Sequence, residues 1–195
     1  MYGITLRDAM LSRAADFSRA TSSVPIVYLG GVSGSVSYEP SEGDDIDLFT
    51  VTERDALWFT LLVLLVKRRL IGDRDLCISF VMDRAFASSY LSGDLGPLER
   101  RDLEHLVRLR GGTDPSRIGS GRGGVASPAM VFLSALTYPP WLAAFLFIKG
   151  CAVDKSVRRR FGEERGFRVR LSWRYYILDT VKYQRMRERA WEGQH

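Results

Sequence analysis

Hydrophobic positions in the first twenty residues recur at helical spacing: Leu6, Ala9, Met10, Ala14 and Phe17 share one face, and Thr5 stands where an N-cap belongs. The pattern predicts a helix to about Arg19, where "TSSVP" stops it. A strand is expected from Pro25 to Leu29, followed by a glycine turn in "GGVSGS" and a polar loop, "SYEPSEGD", punctuated by Pro40 and Gly43. The chain re-enters a sheet at "DIDLFTVT". Thr52 and Asp55 then resemble a capping box opening a helix from Arg54 to Ile71, apolar on nearly every side until its cationic last turn. "DLCISFVM", short and apolar between polar flanks, is predicted as another strand.

Past Asp83 the pattern changes. "PLERRDLEHLVRLRG" is predicted as a polar amphipathic helix, and the Gly/Ser/Arg-rich stretch after it as a loop or linker. The run Ala129 to Ile148 is uncharged for about the length of a bilayer span. Pro139 and Pro140 at its centre remove backbone donors and clash with the preceding turn, so two short buried helices are expected and no transmembrane segment. A closing helix is predicted over Trp173 to Trp191, with Tyr176, Ile177, Thr180, Val181 and Met186 on its apolar face. The order of elements predicts an α+β fold, a small mixed sheet flanked by helices, with a core over 1–110, a loop over 111–128 and a helical, basic C-terminal region over 129–195.

Composition narrows the class without naming it. The chain has 195 residues, 46% of them hydrophobic, enough for one sizeable core. The net charge of +5 favours anionic partners such as nucleotides, RNA or an acidic surface. Cys77 and Cys151 both lie in apolar runs and are expected to be buried, reduced thiols. The two histidines, His105 and His195, have no Cys or Asp at zinc-ligand spacing, which leaves oxygen ligands for any metal. The N-terminus carries charges throughout and lacks the apolar core and cleavage signal of a secretory peptide, so a cytoplasmic protein is expected.

One feature of the strand "DIDLFTVT" asks for an explanation, because ionised groups inside a sheet are costly unless paired or bound to metal. Side chains alternate along a strand, so Asp45 and Asp47 point to one face, roughly 7 Å apart along the chain, while Ile46 and Leu48 point into the core. Two carboxylates so placed can share hard divalent cations, and the metal compensates their charge. Asp44 points the other way and is expected to be a bystander. Just upstream, "SGSVS" offers small residues and backbone N–H groups where a phosphate can approach closely.

Gly34-Ser35, followed after nine residues by Asp45-Ile46-Asp47-Leu48, resembles the signature of the DNA polymerase beta-like nucleotidyltransferase superfamily. The resemblance covers Val24 to about Met82. It implies that two Mg²⁺ (or Mn²⁺) ions are held by Asp45, Asp47 and a third carboxylate on the next strand, with a nucleoside triphosphate held at Gly34 and Ser35. Asp75 is the best placed third carboxylate, and Asp73 and Asp83 compete with it. The implied reaction moves a nucleoside monophosphate to a hydroxyl of RNA, protein or a small molecule, with release of pyrophosphate. Two other classes stay open: an inactive nucleotidyltransferase-like binding or antitoxin-type protein, and a basic nucleic-acid-binding or membrane-peripheral protein. The latter is suggested by Arg158, Arg159, Arg160, Arg165, Arg168 and Arg170 among aromatic neighbours.

Overall fold

A computed structural model of the chain describes residues 5–24, 27–93, 97–111, 127–161 and 166–180. Helix α1, Leu6–Ala20, starts where the pattern places it: the Thr5 hydroxyl accepts the Asp8 N–H and Asp8 reaches back to Thr5, a closed capping box. Met10, Ala14 and Phe17 are buried, whereas Leu6 stays exposed. Strand β1, Val27–Ser33, includes Gly30 and Gly31, where its register with the neighbouring strand shifts, so these glycines are sheet residues and the turn comes at Gly34. A Cβ on Gly31 would stand 3.0 Å from the Val107 carbonyl oxygen, so the glycine lets the neighbouring strand approach closely.

A single helical turn, α2 (Ser35–Tyr38), leads through the loop to β2 (Ile46–Thr52). Helix α3 is Leu57–Ile71, beginning three residues later than predicted. Thr52 belongs to the strand instead of capping the helix. Asp55 adopts φ 62°, a left-handed conformation, and its carboxylate accepts Trp173 Nε1 at 2.8 Å. Strand β3, Leu76–Asp83, is the predicted one, and Asp83 at its end caps α4 (Arg84–Ser92) by accepting the Phe86 N–H. The expected polar helix is cut short: α5 is Pro97–Glu104, and the residues after it form β4, Val107–Arg110.

The apolar run divides at its prolines, into α6 (Pro128–Thr137) and α7 (Pro140–Phe161), but instead of two short buried helices α7 has 22 residues and both leave large apolar side chains exposed, Phe132 and Leu136 on the first and Phe145, Phe147 and Ile148 on the second. The outcome for Trp173 onward differs from the prediction. Phe167–Leu171 is strand β5 and Tyr175–Thr180 is strand β6; the chain beyond Thr180 lies outside the described residues, as does most of the predicted loop. Tyr176 and Ile177 are adjacent and both buried because β6 lies between β3 and β5 in a sheet covered on both faces. Cys151 is also placed otherwise than expected, exposed on α7, while Cys77 is half-buried; both are free thiols.

Together these elements make an α+β fold around one mixed six-stranded sheet, ordered β4-β1-β2-β3-β6-β5. Strands β2 and β3 are parallel, joined by the α3 crossover, and every other neighbouring pair is antiparallel. One face, carrying Ile46, Leu48 and Ile78, is covered by α1, α3 and part of α7. The other, with Phe49, Val51 and Met82, lies under α4 and the α5–β4 segment. Trp58 of α3 ties the C-terminal strands to this core: it is 1% exposed, lies against the Tyr138 ring, and its Nε1 donates to the carbonyls of Ser172 and Trp173, each at 3.1 Å. No single helix among the described residues is long and apolar enough to cross a membrane.

Trp58→Ala should lower unfolding free energy by about 3–5 kcal/mol, measured by denaturant titration. Trp58→Phe keeps much of the volume but strands two carbonyls, and should cost about 1–2 kcal/mol. Equal stability of Trp58→Phe and the parent would show that the indole N–H does not hold the β5–β6 connection.

Candidate functional site

The end of β1 and the start of β2 lie side by side, with Ser33 opposite Asp47. Gly34 then turns the chain at φ 71°. A Cβ there would sit 3.0 Å from Asp47 Oδ2, so glycine is required both by its backbone conformation and by the carboxylate beside it. Gly34 of the predicted turn thus borders Asp47. Asp44, expected to be a bystander, instead closes the loop: its carboxylate accepts the Ser35 hydroxyl at 2.7 Å and the Ser41 N–H at 2.8 Å. The Ser35 hydroxyl is thus engaged within the chain, and the turn offers its backbone.

Asp45 and Asp47 share a face of β2, the face that carries Phe49, with Cys77 of β3 opposite Asp47. Asp45 stands exposed at the rim and Asp47 is half-buried. Burial pushes the Asp47 carboxyl up to about 7; hydrogen bonding from Ser79 and Cys77 pulls it back in part, and the charges of Asp45 and Asp102 add to the rise. Asp45 is raised too, by loss of water first and then by Asp75, with Arg68 opposing. The Cys77 thiol is pushed well up by burial and by both aspartates, so it is an inert donor and no nucleophile.

The candidate third carboxylate behaves differently. Asp75 lies next to Asp45 across the β2–β3 ladder, where its carbonyl accepts the Ile46 N–H at 2.7 Å. Its side chain, 55% exposed, is bound by Arg13 of α1 at 2.8 Å. Arg13 also pairs with Asp73, whose carboxyl it holds below the usual carboxylate range. Asp83 lies at the opposite end of β3, 0% exposed. Among the described residues, no three Asp, Glu, His or Cys side chains are placed to hold a metal ion together.

Three nearby groups escaped the sequence reading. Arg68, in the last turn of α3, places its charge near Asp45 and donates to the Arg74 carbonyl at 3.0 Å. Asp102 of α5 acts on both Asp47 and Tyr38. Tyr38 locks α2 to α5, with the Arg101 guanidinium 4.3 Å over its ring and His105 edge-on. Of the expected basic surface, Arg158 is paired with Asp154 at 2.7 Å and Arg159 is exposed; the side chains of Arg160, Arg165 and Arg168 lie outside the described residues. No family model, curated protein or solved structure matches the chain.

This geometry yields two expected outcomes. Gly34→Ala, at φ 71° and ψ −161°, should cost about 1–3 kcal/mol of backbone strain, plus the displacement of Asp47. Gly43→Ala, at φ 86° with nothing within 4 Å, carries the strain alone and serves as the control. For Asp47, the raised value means that the folded state favours the protonated acid. Without divalent ions its contribution is intact near the ordinary carboxylate value of 3.8 and is lost as pH rises through about 7. Asp47→Asn should therefore be the more stable protein above pH 7 in EDTA, by roughly 2–4 kcal/mol. Melting curves that keep the same gap at pH 4 and pH 8 would refute the buried-acid assignment.

Proposed function

We propose that the chain is a divalent-cation-dependent nucleotidyltransferase that moves a nucleoside monophosphate from a nucleoside triphosphate to a hydroxyl acceptor. What supports the reading is the closeness of Gly34 to the Asp47 carboxylate, whose Oδ2 lies 3.0 Å from where a Cβ would stand, so that a Cβ-free turn borders the acid. The donor set suits one hard cation. Asp47 is an acid raised by burial, Asp45 shares its face, and Mg²⁺ is commonly held by one or two carboxylates with substrate phosphates and water completing its shell. A second ion of the kind the family resemblance implies would need Asp75, which is occupied by Arg13.

When bound, such an ion offsets phosphate charge and makes an acceptor hydroxyl easier to ionise. The residues do the rest. The Gly34–Ser35 backbone lets the terminal phosphates approach, with Asp44 fixing the loop through Ser35. Arg68 adds positive charge at the rim beside Asp45. Asp45 and Asp47 would hold such an ion; in the transfer itself the acceptor oxygen bonds to the α-phosphorus as the bond to the pyrophosphate oxygen breaks, and the hydroxyl proton passes to water. RNA, protein and small-molecule hydroxyls all fit this description.

The hold of Arg13 on Asp75 favours a second reading, a protein that binds nucleotide without turning it over. Incubation with each α-labelled triphosphate, Mg²⁺ or Mn²⁺, and total cellular RNA or protein separates the two. Transfer should fall about a thousandfold in Asp45→Asn and Asp47→Asn, the loss expected when a metal-held charge is removed. It should fall less than about tenfold, under about 1.4 kcal/mol, in Asp75→Asn. A thermal shift with nucleotide but no labelled product and no pyrophosphate selects the second reading. No shift with any nucleotide at a hundredfold excess, where about 2.7 kcal/mol of stabilisation is due, overturns both.

A further inference from the structure

Helices α6 and α7 are bent against each other by 50° and pack inward through a few contacts. Ser134 is buried and accepts the Phe59 N–H, Ala143 is buried, and Gly150 lies so close to Val169 that a Cβ would meet its Cγ2 at 2.3 Å. The outward side of the same helices is apolar. Phe132 and Leu136 on α6 are 64% and 55% exposed, and Phe145, Phe147 and Ile148 on α7 are 55%, 51% and 65% exposed. No charged residue occurs between Pro128 and Ile148. Five large side chains left in water on two adjoining helices exceed the scattered exposure usual for a globular surface.

Charge begins where the apolar face ends. Lys149, Lys155 and Arg159 are exposed, and Lys155 and Arg159 continue the helical stripe that starts at Phe145, Ile148 and Ala152. An apolar wedge followed along one stripe by cations is the pattern of a helix lying in a membrane interface, its carbon side chains in the acyl boundary and its cations at the phosphates. The outward positions from Ala129 to Ile148 carry no charged group with which to register a protein partner, which ordinarily brings about ten hydrogen bonds to an interface.

We propose that the outer face of α6 and α7 docks the protein on an anionic lipid bilayer, with Phe132, Leu136, Phe145, Phe147 and Ile148 in the acyl boundary and Lys149, Lys155 and Arg159 at the headgroup phosphates. The bilayer is touched, not crossed. Docking leaves the candidate site accessible, because Asp47 lies on the sheet face covered by α4 and α5, away from α7. Attachment of this kind does not depend on nucleotide transfer.

The test is sedimentation of the full chain with extruded vesicles of phosphatidylcholine, alone or mixed with phosphatidylglycerol. The parent should sediment with the mixed vesicles and far less with the neutral ones, and rising salt should release it. The double variants Phe145→Asp/Phe147→Asp and Lys149→Glu/Lys155→Glu change exposed side chains only, so their melting temperatures should match the parent, while partition falls about tenfold or more in each. A parent that stays in solution with phosphatidylglycerol vesicles overturns the proposal. So does an aspartate variant that sediments as well as the parent. A dimer in solution that becomes monomeric in Phe145→Asp/Phe147→Asp, with no vesicle binding by the parent, assigns the face to a second copy instead.

Discussion

The parallel pairing of β2 with β3 governs the rest of the molecule. Parallel neighbours need a crossover, and α3 supplies it, buried at Leu57, Trp58, Leu61 and Leu64 against one face of the sheet. Because β2 has strands on both sides and helices over both faces, its residues from Leu48 to Thr52 are all buried. Charge is tolerable only at its beginning, where the strand emerges beside Gly34. Asp47 sits at that boundary, close enough to the interior for its carboxyl to be raised to about 7 and close enough to the rim to stay only half-buried.

Much of this was legible where local chemistry decides. Thr5 starts α1, the alternation in "DIDLFTVT" makes β2, and Pro139 with Pro140 divides the apolar run. The failures share a cause, which is pairing between distant segments. Gly30 and Gly31 look like a turn until β4 is known to lie against them. Tyr176 and Ile177 fit a helical stripe as well as a strand, and their antiparallel pairing with β3 settles the matter. Asp55 resembles a capping residue by spacing, yet its carboxylate is taken by Trp173, 118 residues away.

At the site the same division holds. Gly34, Asp45 and Asp47 are near in sequence and their juxtaposition follows from a strand, a turn and a strand. The partners of the remaining acids come from far away: Arg13 binds Asp73 and Asp75 from α1, and Asp102 reaches the electrostatic environment of Asp47 from α5. The acids therefore divide into two electrostatic kinds. Asp73 is stabilised as an anion by a guanidinium, whereas Asp45 and Asp47 are held in a setting that disfavours their charge. Spacing alone could not distinguish them, since all three lie within the same strand–helix–strand segment.

The strand that finishes the sheet is also the last described segment of the chain. Phe80 of β3 pairs with Ile177, and Trp58 bonds to carbonyls at Ser172 and Trp173. During synthesis, Leu76–Asp83 is consequently an open edge, with Ile78, Phe80, Val81 and Met82 ready to pair with any other strand, until Tyr175–Thr180 has left the ribosome. The nascent chain is most prone to aggregation over that interval. Lengthening the segment between the two strands adds only about 0.6 kcal/mol of closure entropy per doubling, so the delay, more than the thermodynamics, is what a longer insertion would worsen.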